Sequence, residues 1–259
     1  MKTKLKGKRV LVTAGSDGIG KVIAKTFYDN GALVHICSRG EKKLKECVDE
    51  MPGMEYTVAD VGKYDDVKKV FENIRSSLGG LDFLINNAGI SGPTGYVDEI
   101  EVEEWRSTLA VNIDSQFYCS KLAVPMLKEA GGGCIVNIGS TASLFAYPLR
   151  AAYAASKWAV IGFTKTLAWE LGEFKIRANA ICPGCVEGPR IDGVIEREAK
   201  ALNITPDEAR DGYLRQTALR TFMKAQDVAD MTVYLCSDAG ARISGQAIAL
   251  DGFTENCHS

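Results

Sequence analysis

Histidine is nearly absent from this chain. Two occur, His35 inside a predicted strand and His258 next to the last residue. Zinc sites built on histidine and Ser-His-Asp triads both need a histidine close to their other members. Because neither position suits that role, metallohydrolase and serine-hydrolase chemistry are disfavoured, and we expect no metal site.

Long apolar runs and an excess of one charge are also missing. No stretch approaches the roughly 20 apolar residues that span a bilayer, and the apolar start is too short for a signal peptide. The net charge is −2, with no basic run, so we expect neither nucleic acid nor a membrane as partner. With 46% hydrophobic and 25% charged residues in 259, the composition predicts a soluble, cytoplasmic protein.

The eight cysteines do not indicate a disulfide framework. A chain of this length needs no disulfides for stability, and buried free thiols pack as small apolar groups. Cys182 and Cys185 have the CxxC spacing of thioredoxin-like redox sites. They bracket a Pro-Gly turn instead of starting a helix, so packing is favoured and redox chemistry is the alternative.

Short apolar runs alternate with longer amphipathic segments. Strands are predicted at Arg9 to Ala14, Ala32 to Cys37, Tyr56 to Ala59, Phe83 to Asn86, Cys134 to Ile138, Arg177 to Ile181 and Gln246 to Leu250. Helices are predicted near 18–30, 41–50, 64–78, 101–130, 151–172 and 226–237. This alternation is typical of a parallel sheet covered on both faces. We therefore predict an α/β fold: a doubly wound, Rossmann-like parallel sheet of about seven strands in a single domain over 1–259.

One segment breaks the alternation, between the strand that ends near Cys182 and the helix that starts near Gln226. In it, Thr205 and Glu208 form a capping box, with Pro206 at the first helical position. We predict two helices above the sheet that form a small helical substrate lid over 187–222. The alternative is a solvated surface insertion.

A glycine-rich turn follows the first strand. Such a turn lets the backbone approach a pyrophosphate, which binds the N–H groups at the start of the next helix. The predicted contacts are Gly15, Ser16, Asp17, Gly18, Ile19 and Gly20. Gly15 to Lys21 also matches most of a P-loop, but Val22 replaces the hydroxyl residue that would bind magnesium. A nucleotide hydrolase is therefore a weaker alternative.

Ser38 and Arg39 lie at the end of the second predicted strand. In a dinucleotide fold an acidic residue there binds the 2′-hydroxyl of NAD. A hydroxyl followed by a guanidinium suits the 2′-phosphate of NADP instead. NADP is therefore favoured over NAD, although the nearby Asp17 argues the other way.

Tyr153 and Lys157 are spaced to lie on one face of a helix. Tyrosine is a poor base at neutral pH, and a neighbouring ammonium lowers its pKa toward the range of general acid–base catalysis. Ser140 ends a predicted strand, where the carboxyl ends of parallel strands face the ligand crevice, so it can hydrogen-bond a substrate oxygen. The alternative is an ordinary surface pair of Tyr153 and Lys157.

Short motifs extend over essentially the whole chain: the glycine turn, Asp60-Val61, Asn86-Asn87-Ala88-Gly89, Asn112, Ser140, Tyr153 with Lys157, Pro183-Gly184 and Asp251-Gly252. In identity, order and spacing they resemble the short-chain dehydrogenase/reductase superfamily. The resemblance implies that Tyr153 exchanges the proton and Ser140 holds the substrate oxygen. Lys157 would contact the nicotinamide ribose and tune Tyr153, and Asn112 would position a water for proton relay.

The resemblance also implies further cofactor contacts and an assembly. Asp60 and Val61 would contact adenine, and the remaining cofactor residues would be Asn87, Ala88, Gly89, Pro183, Gly184 and Val186. A homotetramer or homodimer is expected. The chain departs from the family pattern at Ala14 and Phe253, where glycine is usual, and at Gly188, where threonine is usual.

The residues and the resemblance together predict an NAD(P)-dependent alcohol dehydrogenase or carbonyl reductase that acts on a secondary alcohol or ketone. The alternative is a cofactor-binding sensor or scaffold, which would need neither Tyr153 nor Lys157. Arg150 and Arg190 predict an anionic hydroxy-acid or oxo-acid substrate, because a guanidinium suits carboxylate, sulfonate or phosphate. A lysine at the spacing of Arg150 holds the substrate carboxylate in 3-hydroxybutyrate dehydrogenases of this superfamily. Alternatively, both arginines are solvated or form intersubunit salt bridges.

Overall fold

The computed structural model describes residues 5–254. Its strands form one parallel sheet of 7 strands in the order β3-β2-β1-β4-β5-β6-β7. They are β1 Arg9–Thr13, β2 Leu33–Ser38, β3 Glu55–Val58, β4 Phe83–Asn86, β5 Gly133–Ile138, β6 Ile176–Pro183 and β7 Ala247–Leu250. The predicted doubly wound, Rossmann-like sheet is confirmed, with strand ends that differ by one or two residues.

Helices cover both faces of this sheet. Their bounds are α1 Gly18–Asp29, α2 Glu41–Glu50, α3 Tyr64–Leu78, α4 Val102–Leu109, α5 Ser115–Glu129, α6 Ala151–Leu171, α7 Pro189–Leu202, α8 Pro206–Arg215 and α9 Ala225–Cys236. Side chains of a strand point alternately to its two faces. Accordingly Val10 and Val12 pack with α1 and α9, whereas Leu11 packs with α3 and α5. Both faces are apolar, which explains the lack of polar alternation in the strands.

The single helix predicted over 101–130 was wrong in one respect. A π-helical turn, Ala110–Asp114, separates α4 from α5 and contains Asn112. Periodicity does not reveal such a turn, because it changes the hydrogen-bond ladder by one residue without breaking the helix. Asn112 is 0% exposed, so the turn places a polar side chain in the interior.

Helices α7 and α8 pack on each other through their own apolar cluster, which includes Ile191, Ile195 and Tyr213. The predicted capping box is present at the start of α8. There Glu208 N donates to Thr205 Oγ1 (3.2 Å), and Thr205 N donates to Glu208 Oε2 (2.8 Å). The two helices predicted in 187–222 therefore exist, and their role as a lid stays a prediction.

The topology places a crevice at the carboxyl edge of the sheet. From β1 the chain winds outward through β2 and β3, then returns to β4 on the other side of β1. Loops therefore leave β1 and β4 in opposite directions, and ligands bind at such a switch point in open α/β sheets. Among the helices of residues 5–254, none has the length and apolarity that crossing a membrane requires.

Candidate active site

The glycine turn packs closely against the end of β4. A Cβ on Gly20 would overlap the Ala14 carbonyl and lie 2.5 Å from Asn87 Nδ2. The same amide nitrogen donates to Thr13 O (3.0 Å) and Ala14 O (3.3 Å). Ala14 itself has a φ of 50°, which explains why glycine suits this position better. Asn87 therefore braces the turn from which the N–H groups of α1 project.

The side chains beside the turn form two pairs. Ser16 Oγ donates to Ser38 Oγ (2.8 Å). Asp17 caps α1 by accepting from Gly18 N (2.8 Å), and its other oxygen binds the ammonium of Lys43. The hydrogen bond from Lys43 lowers the pKa of Asp17. Sequence analysis missed Lys43, which lies on α2 with no local pattern that relates it to the turn.

Lys21 does not extend into the turn as a P-loop lysine would. Its Nζ pairs with the Glu50 carboxylate at 2.7 Å, at the far end of α2. This geometry weighs against the nucleotide-hydrolase alternative.

Lys157 lies one helical turn after Tyr153 on α6 and is 2% exposed. Its Nζ donates to Ile138 O (2.8 Å) and lies 5.8 Å from the centroid of the Tyr153 ring. The strand β5 ends at Ile138, so the sheet holds the ammonium against the tyrosine. Lys157 is therefore buried beside a half-buried Tyr153 at the carboxyl edge of the sheet, which differs from an ordinary surface pair.

The surroundings of Tyr153 favour its phenolate form. Burial alone would raise the pKa of Tyr153, but the Lys157 and Arg190 cations, a Ser140 hydrogen bond and Arg150 together lower it. Burial also lowers the pKa of Lys157, and Arg190 adds to this effect, while Tyr153 opposes it. Opposite charges on a phenolate and an ammonium stabilise each other most where water is scarce.

Asn112 fastens the loop after β4 to α6. Its Oδ1 accepts from Ile90 N (2.7 Å), and its Nδ2 donates to Ile90 O and to Ser156 Oγ, both at 3.0 Å. A Cβ on Gly89 would lie 3.3 Å from Asn112 Oδ1 and 3.5 Å from Lys157 Nζ. Only glycine leaves this space free beside the ammonium, which forms a cradle where a ligand backbone or ribose can approach. The water-positioning role of Asn112 stays a prediction.

Ser140 directly follows β5 and caps a short 3₁₀ turn. Its Oγ accepts from Ala142 N (3.1 Å), and its own N–H donates to Ser143 Oγ (3.1 Å). The backbone therefore uses a lone pair of the Ser140 hydroxyl and leaves its hydrogen to donate to a phenol or substrate oxygen.

The two arginines occupy different environments. Arg150 is 2% exposed, and its Nη2 donates to Ser91 O (2.7 Å). Its guanidinium carbon lies 5.3 Å from the ring centroids of both Tyr147 and Tyr153. The Nε and Nη1 atoms are buried without a hydrogen-bond partner among the described residues. Arg190, on α7, is exposed and donates to Gly89 O (3.2 Å).

The remaining predicted cofactor residues follow the carboxyl ends of four strands. Arg39 is exposed directly after β2, Asp60 and Val61 follow β3, and Gly184 and Val186 follow β6, which ends at Pro183. Ala88 and Gly89 follow β4. Gly188 directly precedes α7 and has a φ of 132°. Phe253 has a φ of 62°, which is strained for any residue but glycine.

Cys182 is a buried free thiol, and Cys185 is half-buried after the Pro-Gly turn. Burial raises the pKa of Cys182, whereas redox-active motifs lower it. Within residues 5–254, no group of three or more His, Cys, Asp or Glu side chains is placed to hold a metal ion. His258 lies outside the described residues.

Comparison with known proteins bears on this geometry. A family model described as enoyl-(acyl carrier protein) reductase matches residues 13–253. A tropinone reductase homolog from Arabidopsis thaliana is 36% identical over 98% of this chain and 92% of its own length. The chain belongs to the short-chain dehydrogenase/reductase superfamily.

Two further members of the superfamily extend the comparison. A D-beta-hydroxybutyrate dehydrogenase from Rhizobium meliloti (strain 1021) is 32% identical over 95% of this chain and 97% of its own length. The solved structure of a NAD⁺-bound xylitol dehydrogenase superimposes with a TM-score of 0.93 at 25% identity, covering 96% of this chain and 100% of that one. The chain is therefore an oxidoreductase of a superfamily that uses NAD(P).

Proposed function

We propose that this protein is an NAD(P)-dependent alcohol dehydrogenase or carbonyl reductase in which Tyr153 is the general acid and base. One observation carries this proposal: the Lys157 ammonium is buried against Tyr153, whose pKa is lowered. A protein that only binds a cofactor gains nothing from a buried cation beside a phenol, since burying the charge costs free energy.

The mechanism assigns each step to a side chain of this protein. A bound nicotinamide cofactor supplies or accepts the hydride. During reduction, Tyr153 donates its phenolic proton to the substrate carbonyl oxygen, and Lys157 stabilises the phenolate that forms. Ser140 donates a hydrogen bond to the same oxygen. During oxidation the phenolate takes the hydroxyl proton, and the same contacts act in reverse.

Turnover with NADPH and NADH over a panel of ketones and secondary alcohols tests this function. The Tyr153→Phe variant should lose roughly 10²–10⁴-fold in kcat/KM with little change in cofactor affinity. Tyr96 is 65% exposed, so Tyr96→Phe is a matched control that removes a surface phenol hydroxyl. Cofactor binding without turnover of any compound would favour the sensor or scaffold instead, and near-native turnover by Tyr153→Phe would rule out this mechanism.

The proposed preference for NADP is supported by the cations near Ser38. Arg39 is exposed at the end of β2, and Lys43 neutralises the Asp17 carboxylate that would otherwise repel a 2′-phosphate. We expect Arg39→Ala to weaken NADPH binding roughly 10–100-fold while NADH binding changes little. Lys42, with a side chain 91% exposed on α2, provides the control Lys42→Ala. A wild-type preference for NADH would contradict this choice.

The proposed substrate carries an anionic group close to its reacting carbon. Arg150 presents two unpartnered buried nitrogens beside Tyr153, and Arg190 adds a second cation. A relative named D-beta-hydroxybutyrate dehydrogenase acts, by that name, on a hydroxy acid. Arg150→Met and Arg190→Met should reduce kcat/KM on keto acids by at least 10-fold more than on matched neutral ketones. Equal losses on both substrate classes would make the arginines structural.

A homodimer or homotetramer in the cytoplasm completes the proposal. Three aromatic side chains on α5 and α6 are exposed: Phe117 (48%), Trp158 (52%) and Trp169 (90%). We expect these exposed aromatic side chains to lie in an interface between subunits. Light scattering should give two or four copies, and Phe117→Glu should shift the mass toward one. Cell fractionation tests the location.

A further inference from the structure

Hydroxyl groups link helices α7 and α8 to the start of the catalytic helix. The Tyr213 hydroxyl donates to the Glu198 carboxylate, and it lies 2.7 Å from the Tyr147 hydroxyl. A phenol has one hydrogen, and Tyr213 gives its own to Glu198, so Tyr147 must donate in the second bond. The hydrogen bonds are therefore donated in one direction. Tyr147, in the loop before α6, donates to Tyr213 of α8, and Tyr213 donates to Glu198 of α7.

At the other end of this series of hydrogen bonds, Tyr147 contacts the groups proposed to act on substrate. Its ring meets the Tyr153 ring edge-on, at 6.4 Å between centroids and an angle of 72°. The Arg150 guanidinium carbon lies 5.3 Å from each ring. Cation–π attraction to two neighbouring aromatic rings holds a guanidinium in place, so the Tyr147 ring helps to fix the position of Arg150.

Packing alone does not account for the two hydroxyls. Tyr213 is 4% exposed in the apolar cluster with Ile191 and Ile195, where phenylalanine would pack equally well. A hydroxyl buried there is tolerated because it is bonded on both sides. Burial raises the pKa of both phenols, so both remain protonated donors at neutral pH.

Helix α7 also contacts the loop after β4. Arg197 of α7 donates to Ser91 Oγ (3.2 Å), while Arg150 donates to Ser91 O (2.7 Å). Arg190 donates to Gly89 O (3.2 Å). Displacement of α7 would therefore disturb two things: the loop that holds Arg150, and the hydrogen bonds that join Tyr147, Tyr213 and Glu198.

We propose that Tyr147 is a positioning residue for Arg150 and Tyr153, held in place by a latch of Tyr147, Tyr213 and Glu198 that seats α7 and α8 over the crevice. The inference rests on the proposed function for its consequence on catalysis, whereas the latch itself is a property of the fold. Tyr147 does not exchange a proton with substrate. It acts through the position of Arg150 and of the Tyr153 ring.

Hydrogen exchange tests the latch without any need for turnover. Tyr147→Phe and Tyr213→Phe each keep the ring and break the hydroxyl link. Tyr213→Phe loses the charge-assisted bond to Glu198 as well as the bond from Tyr147, so the amides of 189–215 should exchange roughly 10-fold faster in this variant. Tyr147→Phe loses only the neutral bond, and the same amides should exchange faster by a smaller factor. The control Tyr28→Phe removes an exposed hydroxyl that donates to Pro52 O (3.1 Å) and should leave 189–215 unchanged.

A double variant distinguishes a latch from two separate contacts. Because Tyr213→Phe already removes the bond between the two hydroxyls, adding Tyr147→Phe should accelerate exchange no further than Tyr213→Phe alone. Unchanged exchange in both single variants, or effects that add in the double variant, would overturn the latch.

Removing the ring tests the positioning role. Tyr147→Leu releases Arg150, so the pKa of Tyr153 should rise relative to that in Tyr147→Phe, which keeps the ring. The kcat/KM pH profile measures this shift, and tyrosinate absorbance compared with a Tyr153→Phe background measures it without turnover. An identical Tyr153 titration in both variants would overturn the positioning role. Failure of every substrate would contradict the proposed function, whereas hydrogen exchange and tyrosinate absorbance would still test the latch and the positioning role.

Discussion

Two regions of the molecule bury polar side chains, and they do so differently. Between β2 and β3, His35 is 1% exposed, with Nε2 2.8 Å from Thr57 Oγ1. At the carboxyl edge of the sheet, Lys157 and Arg150 are each 2% exposed. Burial lowers the pKa of His35 to about 4, so that side chain is neutral. Lys157 has a carbonyl acceptor and a phenol as partners, and Arg150 has a carbonyl and two aromatic rings.

The difference separates polar burial that serves only the fold from polar burial that serves chemistry. A buried group with no charged partner gives up its charge, because desolvation favours the neutral form. A buried cation beside a group that becomes anionic during reaction instead stabilises that anion. Variants of the two regions should therefore show opposite patterns, with activity affected in one and acid stability in the other.

The largest effect is expected at Lys157. Lys157→Met should reduce turnover at least 10²-fold. The limb of the pH–rate profile that reports Tyr153 should move to higher pH, because the Tyr153 phenolate loses the cation that stabilises it most. Stability should not fall, since an apolar chain replaces a desolvated ammonium. Lys165→Met, at an exposed position on the same helix, is the control. A large drop in the urea midpoint with unchanged turnover would place Lys157 with His35 as a structural group.

The intermediate effect is acid destabilisation through His35. Its pKa is about 4 when folded against 6.5 in the unfolded chain. The unfolded state therefore takes up a proton first as the pH falls. The stability contributed by neutral His35 is complete above pH 6.5 and is lost between there and pH 4, by about 3 kcal/mol in total.

His35→Leu removes this titration, while Asn73 still donates to Thr57 Oγ1 (2.9 Å). Urea unfolding at pH 7.5 and pH 4.5 should show a smaller loss in the variant than in the wild type, with turnover at pH 7.5 unchanged. His35 is the single histidine within residues 5–254, which makes the assignment direct. Parallel pH dependence in both proteins would mean that His35 does not titrate as argued.

The smallest effect is expected where the charges are exposed. Asp17 and Lys43 form an ion pair whose side chains are 70% and 57% exposed, so solvent screens their attraction. Lys43→Ala should leave the urea midpoint unchanged within error at physiological salt. A clear loss of stability would show that this exposed ion pair contributes to stability as the buried groups do, which would contradict the comparison.

Periodicity and local chemistry determined much of the molecule. Apolar runs separated by helix-length segments were enough to predict the parallel sheet, because each strand and helix depends on residues close in sequence. The spacing of Tyr153 and Lys157 placed both on one face of α6, since a helix of 3.6 residues per turn leaves no other arrangement. Thr205, Pro206 and Glu208 likewise predicted the start of α8.

Tertiary structure alone decided the rest. The π turn at Ala110–Asp114, the pairing of Asp17 with Lys43, and the meeting of Tyr147 with Tyr213 have no local signature. The sequence showed Arg150 near Tyr153 but not that it is buried beside two tyrosine rings. Burial, and with it the pKa of Tyr153, depends on which distant segments exclude water from a side chain, and local sequence carries no record of those contacts.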